Sequence, residues 1–79
     1  MKIRISEFLL EAINDYYQDL LPISKRKKYL ILNKVELDKL IDAVYKYFNK
    51  VKTMGFLYEY TDEVKKELDN LKFLRESLS

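Results

Sequence analysis

The scarcity of turn-forming residues constrains this sequence more than any other feature. The 79 residues include one glycine, Gly55, and one proline, Pro22. Folds made of many short strands need both residue types repeatedly, because glycine supplies positive φ angles and proline fixes φ at tight turns. The sequence therefore predicts a mainly helical protein.

Apolar residues recur at helical spacing in three stretches, each with polar residues on the opposite face. The first helix is predicted over about residues 7–20, the second over about residues 35–52, and the third over about residues 62–78. The apolar stripes are Leu9, Ile13, Tyr16 and Leu20 in the first stretch, Leu37, Ile41, Val44, Phe48 and Val51 in the second, and Val64, Leu68, Leu71, Leu74 and Leu78 in the third.

Capping and breaking residues set the expected helix boundaries. Pro22 is expected to end the first helix, because proline disfavours helical backbone at the residue before it. The expected N-caps are Ser6, Ser24, Asn33 with Glu36 three residues later, and Thr61 or Asp62; Gly55 is expected to end the second long helix in the left-handed region.

Two stretches fit more than one structure. Residues 29–32, Tyr-Leu-Ile-Leu, could form a buried strand or a helix that is apolar on most sides. Residues 56–60 alternate weakly and are interpreted as a connector that packs its aromatic side chains.

The N-terminus departs from the helical pattern. Residues 2–6, Lys-Ile-Arg-Ile-Ser, alternate charged or polar with apolar side chains at a period of two. In a strand, such side chains face opposite sides, so Ile3 and Ile5 would be buried while Lys2 and Arg4 face outward. The alternative is a frayed lead-in to the first helix.

Charge is unevenly distributed, although the net charge is only +2. Residues 1–34 hold seven Lys/Arg against four Asp/Glu, whereas residues 35–79 hold eight against nine. Much of the basic excess comes from Lys-Arg-Lys-Lys at 25–28. A basic end and an acidic end indicate two different surfaces.

The order of strand, helix, break and basic segment over about residues 2–36 resembles the ribbon-helix-helix family of dimeric DNA-binding proteins. The resemblance implies that residues 2–5 pair with the same strand of a second copy and that the ribbon enters the major groove. Residues 29–32 would then lie in the interlocked dimer core. Family members usually carry glycine between their two helices, where this chain has Leu21-Pro22.

The resemblance also implies the site residues. Base contacts would come from Lys2 and Arg4, which can reach the acceptor atoms of guanine. Phosphate contacts would come from the start of the second helix, where backbone amides and cations meet the DNA backbone. The implied phosphate-contacting residues are Ser24, Lys25, Arg26, Lys27 and Lys28.

Composition excludes several other classes. Without cysteine or histidine the chain has no disulfide framework and none of the usual zinc sites, so neither metal nor cofactor is expected. No serine has a nearby base and no glycine-rich phosphate loop is present, so we do not expect an enzyme. No apolar run approaches the ~20 residues of a membrane span, and the N-terminus lacks the apolar segment of a signal peptide. We therefore expect a cytoplasmic protein.

The sequence thus predicts one domain over residues 1–79: a mainly α fold with a short N-terminal β-strand followed by three to four helices. Residues 1–36 would be the ribbon-helix-helix-like part of a homodimer, and residues 37–79 a helical extension. The predicted function is a duplex-DNA-binding transcriptional regulator of a virus or other mobile element. The alternative is an all-α module that binds a host protein through its C-terminal helices, without nucleic acid.

Overall fold

The computed structural model describes residues 1–55 and 58–78, and within them the chain is mainly helical with one short antiparallel sheet. The predicted fold class, an N-terminal strand followed by helices, is confirmed. The elements are β1 (Lys2–Arg4), α1 (Glu7–Tyr16), a 3-10 helix (Gln18–Leu20), α2 (Leu21–Arg26), β2 (Tyr29–Ile31), α3 (Lys34–Thr53) and α4 (Tyr58–Ser77).

The long helix α3 lies between α1 and α4 and packs against both. Its apolar stripe is the one that the sequence predicts, with Leu37, Val44 and Val51 fully buried and Ile41 and Phe48 partly buried against the core. The core continues into the other elements through Ile3, Leu9, Ile13, Leu30, Leu32, Val64, Leu68 and Leu71. The strands therefore pack on the same core as the helices.

The first helix is shorter than predicted. Ser6 caps α1 as expected, with its hydroxyl accepting from the Leu9 amide at 3.2 Å. The helix ends at Tyr16 because Tyr17 leaves the helical region at φ −148° and ψ 58°. The prediction that Pro22 ends the helix was wrong. Pro22 lies in the first turn of α2, where its missing N–H costs no intrahelical bond.

Both ends of α3 follow the sequence. The Asn33 side chain accepts from the Glu36 amide at 2.8 Å, and the Glu36 carboxylate accepts from the Asn33 amide at 3.1 Å, which completes a capping box. Gly55 follows the last turn with φ +75°, the left-handed conformation expected of it.

The last helix begins earlier than predicted. Residues 58–60, which were interpreted as a connector together with 56 and 57, form the first turn of α4, so Thr61 and Asp62 are not its caps. Phe56 and Leu57 lie outside the described residues. Tertiary contacts account for the early start: the Tyr60 ring packs edge-on against Phe8 at 5.1 Å, and its hydroxyl lies 2.5 Å from that of Tyr47.

Candidate nucleic-acid interface

The candidate site is built on a two-stranded ribbon formed within one chain. Residues Lys2, Ile3 and Arg4 of β1 face Ile31, Leu30 and Tyr29 of β2 in antiparallel register. The pairing extends past both strands, because the Leu32 amide donates to the Met1 carbonyl at 2.8 Å and the Ile5 amide donates to the Lys28 carbonyl at 2.8 Å. The N-terminal ammonium adds a bond to the Leu32 carbonyl at 2.7 Å.

The two faces of the ribbon differ as the period of two predicts. Ile3 and Leu30 are buried at 4% and 2% exposure, and Ile5 is partly buried against the same core. Lys2 and Arg4 face outward. The predicted strand and its alternation are therefore confirmed. The partner strand differs from the one that the resemblance implied, because β1 pairs with β2 of its own chain.

Of residues 29–32, Tyr29–Ile31 form the second strand, so the strand is observed and not the apolar helix. Leu30 and Leu32 are buried, but Tyr29 and Ile31 lie on the outward face at 44% and 81% exposure. The Lys2 ammonium lies 4.4 Å from the centre of the Tyr29 ring, a cation–π contact across the ribbon. The outward face therefore presents two cations, an aromatic ring and an aliphatic tip.

The basic run lies at the end of a helix, not at its start. Lys25 and Arg26 occupy the last turn of α2, Lys27 leaves the helix with extended backbone, and Lys28 leads into β2. The prediction of a helix beginning at Ser24 was wrong because α2 already begins at Leu21. Cations at this end offset the negative pole of the helix dipole, and Lys27 and Lys28 lie next to the ribbon.

Ser24 is the candidate whose surroundings differ most from the expectation. It lies inside α2 with 4% exposure, and its hydroxyl donates to the Leu20 carbonyl at 2.6 Å. This hydroxyl bonds within its own helix and does not cap it, although Ser24 is among the residues that line a cleft beside the ribbon. Of the residues implied as phosphate contacts, the four basic ones are exposed.

An open cleft of about 530 Å³ joins the ribbon to the basic run. Arg4 and Tyr29 of the ribbon line the cleft together with Lys27 and Lys28. Ser6 and Glu7, at the start of α1, also line it. The fold thus brings a candidate base-contacting residue next to two candidate phosphate-contacting residues.

Basic and acidic residues are separated more completely between structural regions than between the two halves of the sequence. Residues 1–6 and 20–35 contain both strands and α2, and they carry seven of the fifteen Lys/Arg and none of the thirteen Asp/Glu. The remaining residues carry eight Lys/Arg and all thirteen Asp/Glu. Among the residues that the structure describes, no ion pair involves Lys2, Arg4 or residues 25–28. The two strands and α2 therefore form a cationic region whose own residues supply no carboxylate.

Besides Glu7, which lines the cleft, a second carboxylate lies close to the ribbon, on its other flank. Glu67 of α4 lines a cavity of about 320 Å³ together with Lys2, Arg4 and Asn70. Burial raises the pKa of the Glu67 carboxyl above its ordinary value. The negative charge there is consequently disfavoured by its surroundings.

Other ionisable side chains do not converge into a reactive site. The two aspartates of α3 that are four residues apart contact cations, Asp38 through Arg75 at 2.7 Å and Asp42 through Lys46 at 3.0 Å. Within residues 1–55 and 58–78, no group of three or more acidic side chains could hold a metal ion.

Sequence reasoning missed Tyr29 and Ile31 as surface residues. No period of two marks Tyr-Leu-Ile-Leu in the sequence, because every residue there is apolar, although their burial alternates in the structure. The absence of acidic residues from Leu20 to Val35 is a signal that the sequence did carry.

Comparisons with known proteins give no relative: no family model, no curated protein and no solved structure matches this chain. In the part of the chain that the structure describes, none of the helices has the length and apolar character needed to cross a bilayer.

Proposed function

We propose that this chain is a small duplex-DNA-binding transcriptional regulator that acts as a homodimer in the cytoplasm, encoded by a virus or other mobile element. The observation that carries the proposal is the outward face of the ribbon, where Lys2 and Arg4 stand in segments that carry seven Lys/Arg and no Asp/Glu. An antiparallel two-stranded ribbon fits the major groove of B-DNA, and arginine or lysine there can bind guanine O6 and N7.

The basic run next to the ribbon supports the same proposal. Lys27 and Lys28 share the cleft with Arg4, and Lys25 and Arg26 extend the cationic surface along α2. Side chains that hold phosphates fix the register of a protein on DNA while neighbouring ones read the bases. We assign phosphate contact to these four residues and leave out Ser24, whose hydroxyl is buried.

The alternative, a module that binds a host protein, has less support in the fold. It would use the apolar stripes of the C-terminal helices, yet Leu37, Val44, Val51, Val64 and Leu68 are buried between α1, α3 and α4. It also expects residues 1–5 to extend a helix or lack order, whereas Lys2–Arg4 is a paired strand. Within the described residues of α3 and α4, the exposed large apolar side chains left for such an interface are Val35, Tyr45, Tyr58 and Phe73.

A salt series of DNA binding tests the proposal. Binding of a labelled mixed-sequence duplex is measured by fluorescence anisotropy from about 50 to about 200 mM salt, where each phosphate contact contributes about −0.9 to the slope of log K against log salt. The Lys27→Ala/Lys28→Ala variant is expected to reduce the steepness by about 2. The Lys2→Ala/Arg4→Ala variant is expected to lose discrimination between sequences.

The matched control is Lys46→Ala/Lys52→Ala, which removes the same charge from the far half of α3. At about 1.5 Å per residue, Lys46 and Lys52 lie roughly 18 and 27 Å along the helix from its start beside the ribbon. This variant is expected to bind nearly as well as the wild type. Absence of binding at low salt, or equal losses in the control and in the ribbon variants, would refute the proposal.

A further inference from the structure

Ile31 is exposed where the fold gives it no packing role. It is 81% exposed at the end of β2, opposite Lys2, while its chain neighbours Leu30 and Leu32 are buried at 2% and 3%. Strand propensity favours a β-branched residue there, but threonine would satisfy that preference without exposing an aliphatic tip. The outward face thus combines charge with a localised apolar contact.

The register fixes what stands beside Ile31. Lys2 is directly opposite it, and Arg4 is opposite Tyr29. Directly opposed side chains in an antiparallel pair have Cβ atoms about 4.5–5.5 Å apart. Because the Lys2 ammonium lies over the Tyr29 ring at 4.4 Å, it leans away from Ile31 and leaves the aliphatic tip uncovered. Each strand therefore contributes to one surface.

A cation beside an aliphatic tip matches two chemical features of the major groove. Guanine presents the acceptors O6 and N7, and thymine presents the C5-methyl group, which is the apolar feature that side chains contact there. Successive bases are about 3.4 Å apart along the axis, so Cβ atoms about 4.5–5.5 Å apart span between one and two base-pair steps. Lys2 and Ile31 can therefore reach neighbouring base pairs at the same time.

We infer that Ile31 is a base-contacting residue that recognises a thymine methyl group next to a guanine bound by Lys2. This inference rests on the proposed DNA-binding function and adds the second strand to its reading surface. Duplex DNA is favoured over an apolar protein surface because residues 1–6 and 20–35 carry seven Lys/Arg and no Asp/Glu. An occupant of this face must therefore bring a dense negative charge along with its apolar contact.

The test removes one methyl group at a time. A duplex is first selected from a randomised library by binding to the wild-type protein, and each thymine is then replaced by deoxyuridine. At least one replacement is expected to weaken wild-type binding about fourfold, which corresponds to the burial of one methyl group. The Ile31→Ala variant is expected to bind the thymine and deoxyuridine duplexes equally. The Met54→Ala variant, altered at an exposed apolar residue at the far end of α3, is expected to keep the wild-type difference.

The outcomes separate the two proposals. If no duplex is recovered from the library, both the DNA-binding function and the role of Ile31 are overturned. Retention of the protein on phosphatidylserine vesicles would then assign the face to an anionic membrane. A selected duplex that shows no deoxyuridine effect, or an Ile31→Ala variant that keeps the full effect, would overturn the role of Ile31 alone. A second copy of the chain is the remaining possible occupant of this face, and sedimentation of the free protein tests for it. Dissociation of a dimer by Ile31→Ala would place this residue between two copies.

Discussion

The ribbon makes a stability prediction that compares the same substitution on its two faces. Ile3→Ala and Ile31→Ala delete the same three carbon atoms from neighbouring strands, but Ile3 is 4% exposed and Ile31 is 81% exposed. Both variants lose a β-branched residue from a strand, which costs up to ~1 kcal/mol. The difference between their losses in the free energy of unfolding therefore measures the effect of burying the side chain.

The expected difference is large for a chain of this size. Three buried carbons at about 0.8 kcal/mol each, together with the cavity left behind, give a loss of about 2–4 kcal/mol for Ile3→Ala. A domain of 79 residues has a total stability of roughly 4–12 kcal/mol. Ile31→Ala is expected to lose less than about 1 kcal/mol, because its side chain is solvated in both states.

Urea denaturation followed by far-UV circular dichroism measures both variants. With a slope of about 1 kcal/mol per molar urea, Ile3→Ala is expected to lower the midpoint by about 2 M or more, and Ile31→Ala by well under half of that. Equal midpoints would refute the pairing of β1 with β2 over the core. They would mean that residues 2–5 are the frayed lead-in to α1 that the sequence also allowed.

Two ionisable groups give further predictions. Burial, the hydroxyl of Tyr60 and nearby carboxylates raise the pKa of Tyr47 above its ordinary value of 10.0. The folded state therefore keeps this proton at a pH where the unfolded state releases it. As a result, the free energy of unfolding falls above about pH 10 by roughly 1.4 kcal/mol per pH unit. Tyr47→Phe is expected to cost about 1 kcal/mol at neutral pH and to flatten that alkaline decline in urea titrations repeated at several pH values; an unchanged decline would contradict the assignment. Burial raises the pKa of Glu67 above its ordinary 4.5, so its contribution is fully present at low pH and is lost as pH rises through the folded pKa. Glu67→Gln is expected to raise the thermal midpoint at pH 7 but not at about pH 4, and a Glu63→Gln control at an exposed position of α4 should change neither.

The parts of the fold that the sequence predicted correctly are those with local causes. The α3 stripe and its capping box depend on residues within three or four positions of one another. The positive φ of Gly55 follows from the residue type itself. The predictions were wrong where residues distant in the sequence determine the local structure. The start of α4 depends on Tyr60 meeting Phe8 and Tyr47 from other helices, which no local pattern encodes.

The candidate site likewise has features that local sequence predicts and features that depend on long-range pairing. The outward direction of Lys2 and Arg4 follows from their own alternation, so it could be predicted. Their partner strand could not, because the register that places Ile31 opposite Lys2 is a long-range pairing. The position of the basic run depended on where α2 begins, and the proline signal there fitted the end of one helix as well as the first turn of the next.

The intrachain ribbon changes what a dimer would bind. In the ribbon-helix-helix arrangement two copies build one ribbon between them, so each dimer has one reading surface. Here β1 and β2 complete a ribbon within one chain, and the bonds at Met1–Leu32 and Ile5–Lys28 close both of its ends. A homodimer would therefore carry two complete reading surfaces and need two half-sites, whose spacing follows the distance between the ribbons. Titration of the selected duplex should give one chain per half-site, and a half-site alone should still be bound, more weakly. A requirement for two chains at every half-site would instead mean that the ribbon forms between copies on DNA.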